Sequence, residues 1–154
     1  MKTRIVIHCS AGPAAQRARD IVAYHLRPRA QGGRGWSVAG YHYIIEADGT
    51  VVPVVAEDRV ANGAAGYNAD SIHVCYTGGV DASGRPADTR TDAQKRALRA
   101  LVADIRRRRP EIRRVVGHRD LSPDRNGNGR VDKWEWIKAC PSFEVSAEFP
   151  DAAS

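Results

Sequence analysis

Four short β-branched runs punctuate the chain: RIVIHCS (4–10), YHYIIEADGTVVPVV (41–55), SIHVCYT (71–77) and RRVVGHRD (113–120). Helical stretches lie between them, and strands mixed with helices in this way restrict a chain to an α/β architecture. The first run, Arg4–Ser10, reads as a buried strand stopped by AGP. A helix is expected from Ala14 to about Arg27, where Ala14, Ala18, Ile21 and Val22 recur at helical spacing and Pro28 ends it. Asp48–Gly49 between two apolar runs signals a hairpin, and Pro53 puts its second strand at an edge or ends it early. Ser71–Thr77 gives a further strand. Thr91 caps a helix reaching about Arg109, with Leu98, Leu101, Val102 and Ile105 as its apolar stripe. A short helix is expected at KWEWIKA (133–139), and residues 147–154 are expected to fray beyond a domain spanning 1–146. The expected fold is a single α/β domain with a central mixed β-sheet flanked by helices.

Composition narrows the chemistry. No apolar run reaches the length of a membrane span. The start, MKTRIVIHCSAG, lacks the apolar region of a signal peptide, so a chain that is cytoplasmic when synthesised is expected; a monomer is expected as well. The three cysteines, Cys9, Cys75 and Cys140, include no CxxC pair, which argues for reduced thiols over a disulfide framework. A formal charge of +6 favours polyanionic partners such as nucleic acid, anionic lipid or bacterial cell wall. No basic-aromatic recognition motif accompanies that charge, so nucleic acid is not the expected partner.

Five histidines remain to be placed: His8, His25, His42, His73 and His118. His8 ends the first strand, where α/β folds collect ligands. Its neighbour Cys9 must point to the opposite face, so one of the two belongs to the core. His118 follows another β-branched run, with Gly117 permitting close backbone approach. These two histidines form a candidate metal pair, and Cys140, 22 positions after His118, is a candidate third ligand. Two imidazoles and a thiolate suit zinc, with the fourth position left to water. In the hairpin either Tyr41 and Tyr43 or His42 face the site. His25 reads as a packing residue, and His73 as half exposed and without a role.

VIHCSAG, GYHYIIEADGTV, GYNADSIHVCYTGG and KACPSF occur in this order, with a glycine–histidine before the last. Together they resemble the zinc-dependent N-acetylmuramoyl-L-alanine amidases of the type-2 family, which include small phage lysins and the peptidoglycan-recognition proteins. The likeness runs from about Ile5 to Phe143. It implies zinc ligation by His8, His118 and Cys140, a catalytic Tyr41 near the metal and Lys138 as its partner. It also implies hydrolysis of the amide between N-acetylmuramic acid and L-alanine of peptidoglycan, in a phage or prophage endolysin that meets the cell wall after release. A peptidoglycan-binding module without catalysis is the alternative; retention of Cys140 argues against it. One departure is plain: many relatives carry a histidine shortly before GYN, and this chain reads VANGAAGYN.

Between Leu121 and Glu135 the chain is longer than in compact relatives. Asp124, Asn126, Asn128, Gly129 and Glu135 fit the calcium-loop pattern D-x-[DN]-x-[DN]-G-x₅-E completely. Asp132 takes the ninth position, and Arg130 would contribute its backbone carbonyl. A structural calcium ion is therefore expected there, fixing the approach to Lys138 and Cys140.

Overall fold

The β-branched runs form strands where they were expected. In the computed structural model, which describes residues 1–151, these are β1 (Arg4–Cys9), β2 (Tyr43–Ile45), β3 (Val51–Pro53), β4 (Ser71–Tyr76) and β5 (Arg114–Gly117). They join in one mixed sheet of order β3-β2-β4-β1-β5. Only the β2–β3 hairpin is antiparallel, and β3, which carries Pro53, lies at the edge.

A parallel centre must be covered on both faces. Helix α2 (Asp92–Arg108) covers one, packing Leu98, Val102 and Ile105 against Ile5, Ile7, Ile72 and Val74. Helix α1 (Ala18–Leu26) covers the other, with Ala18 and Ile21 against Ile44 and Cys75. Alternation along β1 therefore sends Ile5, Ile7 and Cys9 into the α2 core and turns Val6 and His8 toward the α1 side. In the register of β1 and β4, Val6 stands opposite His73 and His8 opposite Cys75. His8 and His73 are thus diagonal neighbours on one face.

Both helices are anchored at their N-termini. Thr91 Oγ1 accepts the Gln94 N–H at 3.0 Å, and Gln94 Oε1 accepts the Thr91 N–H at 3.0 Å, a reciprocal capping box. The Gln94 side-chain amide also donates to Thr77 O at 2.9 Å, tying α2 to the end of β4. Helix α1 starts at Ala18 instead of Ala14, because residues 13–16 form a turn closed by Gln16 N–H on Pro13 O. What starts it is Glu46, a buried carboxylate after β2 that accepts the Ala18 N–H at 2.8 Å and pairs with Arg17 at 2.8 Å.

Two expectations are corrected. KWEWIKA is not a helix: only Lys133–Glu135 makes a 3₁₀ turn, and Ile137 N–H then turns away to Ser122 Oγ at 3.0 Å. Nor does the chain fray from residue 147. Val145–Glu148 forms a short helix, α3, and Phe149 is buried in the α2-side core. The reason is Arg90, whose side chain is 1% exposed and lies 3.3 Å over the Phe143 ring. A buried guanidinium needs charge-assisted partners. Asp88 supplies one at 2.8 Å and Glu148 the other at 2.7 Å. Residues 152–154 of the expected tail lie outside the described residues.

Candidate metal centre and cleft

At the C-terminal ends of β1 and β5 the two candidate histidines meet. His8, 1% exposed, places Nδ1 3.1 Å from Nδ1 of His118, the first residue of a 3₁₀ turn after β5. Cys140 arrives from the far side of the long loop, its Sγ 3.9 Å from His8 Nδ1. All three donor atoms lie within 4.8 Å of one another, the one such convergence among the described residues.

The segment carrying Cys140 is held by its backbone. Arg119 N–H donates to Cys140 O at 2.8 Å, and the Tyr76 hydroxyl donates to Pro141 O at 2.6 Å. Ser142 Oγ donates to Gly79 O at 2.9 Å. Gly117 makes the close approach possible, since a Cβ there would sit 2.7 Å from Pro141 Cδ. These contacts aim the thiol without using it. From the backbone, Cys9 alone among the described residues meets the sulfur, its N–H donating at 3.2 Å and its carbonyl lying 3.9 Å away.

Electrostatics keep the two imidazole donors ready and hold the sulfur as a thiol. Burial, then the nearby Lys138 cation, lowers His118 to about 4. His8 is lowered well below the ordinary histidine range, by burial first and then by its imidazole neighbours. Both are neutral at pH 7, with lone pairs available to a cation. The Cys140 thiol is pushed up, through its hydrogen bond with Cys9 and then through burial. The set of two neutral imidazoles and one sulfur fits zinc by donor type.

The other candidates fall into place around this centre. The Tyr41 ring packs 5.1 Å from that of His8, and burial raises its hydroxyl well above the ordinary range, so it is a neutral phenol. In this arrangement the hydroxyl meets the buried Cys75 thiol. Lys138 is exposed, and with His118 it lines a cleft of about 460 Å³ that also includes Arg34, Trp36, Asn62 and Tyr67. Arg34 and Lys138 bring positive charge to this cleft, and no carboxylate among the described residues lines it. His42 points elsewhere: it is wholly buried, with Nε2 3.1 Å from Arg59 O. His25 packs on Trp36 at 4.8 Å.

His73 departs most from expectation. It is wholly buried, not half exposed, and its Nδ1 lies 3.0 Å from His8 Nε2. Sequence reasoning also missed Glu46, whose only signal is a carboxylate directly after an apolar strand.

The loop 124–135 brings no third acidic ligand group together; its polar atoms bond to one another. Asp124 accepts the Gly127 and Gly129 N–H groups at 2.7 and 2.8 Å. Asp132 Oδ2 accepts the side-chain amides of Asn126 and Asn128, each at 2.9 Å. Glu135, 1% exposed, accepts the Arg125, Asn126 and Asp132 N–H groups at 2.7, 3.1 and 2.7 Å. Arg130 N–H donates to Asn128 Oδ1 at 2.9 Å.

The chain is similar to known proteins over most of its length. The family model described as N-acetylmuramoyl-L-alanine amidase matches residues 2–141. The endolysin of Klebsiella phage KP32 is 34% identical over 145 residues, which cover 93% of this chain and 82% of the phage protein. Among solved structures, the N-acetylmuramoyl-L-alanine amidase LysC from Clostridium intestinale URNW superposes with a TM-score of 0.67 at 23% identity, over 93% of this chain and 78% of LysC. PGRP-LB of Drosophila superposes with a TM-score of 0.70 at 20% identity, over 97% of this chain and 81% of that protein. With nearly its whole length matched, the chain belongs to the N-acetylmuramoyl-L-alanine amidase family.

Proposed function

We propose that this chain is an endolysin that hydrolyses the amide between N-acetylmuramic acid and L-alanine of peptidoglycan, using zinc held by His8, His118 and Cys140. The observation that carries the reading is the convergence of two imidazoles and a thiol from distant parts of the chain, beside a cationic cleft. Zinc, when bound, polarises a carbonyl and lowers the pKa of water toward ~7. The protein supplies the rest. The cleft binds the glycan-linked peptide, whose free carboxylates suit the charge of Arg34 and Lys138. Lys138 faces the developing oxyanion, and Tyr41 acts as a neutral hydrogen-bond donor after its hydroxyl leaves Cys75. The overall positive charge favours adsorption to anionic wall polymers.

Mass spectrometry of digested peptidoglycan tests the bond assignment. Free L-alanine amino termini together with intact muramic acid are the expected products; cleavage of the glycan or of a peptide cross-link refutes it. Lys138→Ala should lower kcat about 10²–10³-fold with zinc content unchanged, as loss of an oxyanion partner does. Tyr41→Phe in the same assay should also lose rate while retaining metal. An unchanged rate in either variant removes that residue from the mechanism.

Calcium at residues 124–135 is the second part of the reading, and the complete sequence pattern is its support. Its would-be ligands already serve as hydrogen-bond acceptors within the loop. Bound calcium should raise the melting temperature of dialysed protein, because a ligand specific to the native state stabilises it. A melting temperature indifferent to calcium would leave the hydrogen bonds as the loop's whole framework.

A further inference from the structure

His73 is a buried imidazole that the proposed chemistry does not use, and everything around it is arranged to hold it against His8. Its backbone is clamped by His42: the His73 N–H donates to His42 Nδ1 at 2.9 Å, and the His42 N–H donates to His73 O at 2.9 Å. The two rings stack with centroids 5.8 Å apart and planes at 20°. Above the ring runs the backbone of Gly63, a residue that also lines the cleft. A Cβ on Gly63 would lie 2.4 Å from both Cγ and Nδ1 of His73, so the imidazole fits only because position 63 has no side chain.

The zinc reading, taken with the contacts, sets the proton positions. His8 turns Nδ1 toward His118 and Cys140, so this nitrogen must keep its lone pair to serve as a ligand. The proton of neutral His8 is then on Nε2, 3.0 Å from His73 Nδ1, which accepts it. His73 in turn carries its own proton on Nε2, which has no partner among the described residues.

We infer that His73 is a positioning residue for the metal centre: by accepting the His8 Nε2–H it fixes the tautomer and ring orientation that present His8 Nδ1 to zinc. This inference rests on the zinc reading above. Partners of a ligating histidine of this kind typically contribute 10–100-fold to metal affinity.

The test is zinc affinity, measured by competition with a chromophoric chelator, together with the absorption spectrum of the cobalt-loaded protein. His73→Phe keeps a ring in the space and removes the acceptor. It should weaken zinc binding about 10–100-fold and alter the cobalt bands. His73→Gln, which restores an acceptor oxygen, should recover most of the affinity. Gly63→Ala, which displaces the ring without touching either histidine, should weaken binding as His73→Phe does, and it decides the matter if His73→Phe fails to fold. Wild-type affinity and spectrum in His73→Phe would overturn the role and leave His73 as core filling. So would equal losses in the Phe and Gln variants. Failure of the wild-type protein to bind zinc would instead sink the metal reading itself.

Discussion

Cys140→Ala will lose stoichiometric zinc and reduce product release from peptidoglycan to background, while its fold in the presence of chelator stays that of the wild type. Among the described residues, Cys140 brings the only sulfur that converges with His8 and His118. The nearby Cys9 cannot replace it, because strand alternation sends the Cys9 side chain to the α2 core. Removing the thiol leaves two imidazoles, short of the three protein ligands that a catalytic zinc site uses. The fold should survive, since Arg119 N–H to Cys140 O, Tyr76 to Pro141 O and Ser142 to Gly79 O all bypass the thiol. The loss is confined to the thiol's contacts with Cys9, the hydrogen bond from its N–H and the weaker ones to its carbonyl and thiol, about 1 kcal/mol for each well-formed bond. Zinc content and dye release from labelled peptidoglycan check this directly. Equal zinc and equal release in the two proteins would refute the assigned ligand set. Tight binding to peptidoglycan with no release from either would make the chain a recognition module.

The candidate donors were legible only in part, because strand ends and alternation are local properties. His8 and His118 each follow a β-branched run, but the period of two says only that His8 and Cys9 face opposite sides, and the choice of His8 rests on the family motifs. His73 was not legible for a related reason. Its importance depends on a diagonal contact between β1 and β4, and that contact exists only in the register that pairs Val6 with His73. Nothing in SIHVCYT states a register. The C-terminal segment shows the same limit in another form. EFPDAAS has the composition of a frayed end, but Glu148 and Phe149 are fixed by Arg90, 58 residues away from that glutamate. The demand came from a buried guanidinium whose burial no local pattern announces. The loop at 124–135 shows a pattern that serves two ends. Its residues match a ligand pattern, yet asparagine and aspartate in tight turns also bond their own backbone, and that is what they do here.

Acid should destabilise the metal-free protein progressively between pH ~6.5 and about 4, and two histidines outside the metal set supply the cause. His25 Nδ1 accepts the Gly40 N–H at 3.2 Å, and His42 Nδ1 accepts the His73 N–H at 2.9 Å. A protonated imidazole has no lone pair, so each protonation breaks its bond to the backbone as well as burying a charge. Burial first, then Arg34, lowers His25 to about 4; burial also dominates at His42, again giving about 4. Both folded values lie below the ordinary 6.5, so the unfolded chain takes up protons first as pH falls. Their stabilisation is complete above pH ~6.5 and disappears as pH drops through about 4. At pH 4.5 the two together should remove roughly 5 kcal/mol, a large part of the ~5–15 kcal/mol available to a domain. His73 and His118, lowered to about 3 and about 4, act with the same sign. Among the carboxylates, burial raises Asp120, which acts with the opposite sign. Burial opposes the charge on Glu57, yet hydrogen bonds from Arg108, Tyr43 and Arg109 hold it at about 2, so it gives up its stabilisation only below the range tested. Urea unfolding in chelator at pH 7 and pH 4.5 measures the difference. An unfolding free energy that is the same at both would show that neither histidine is neutral in the native state.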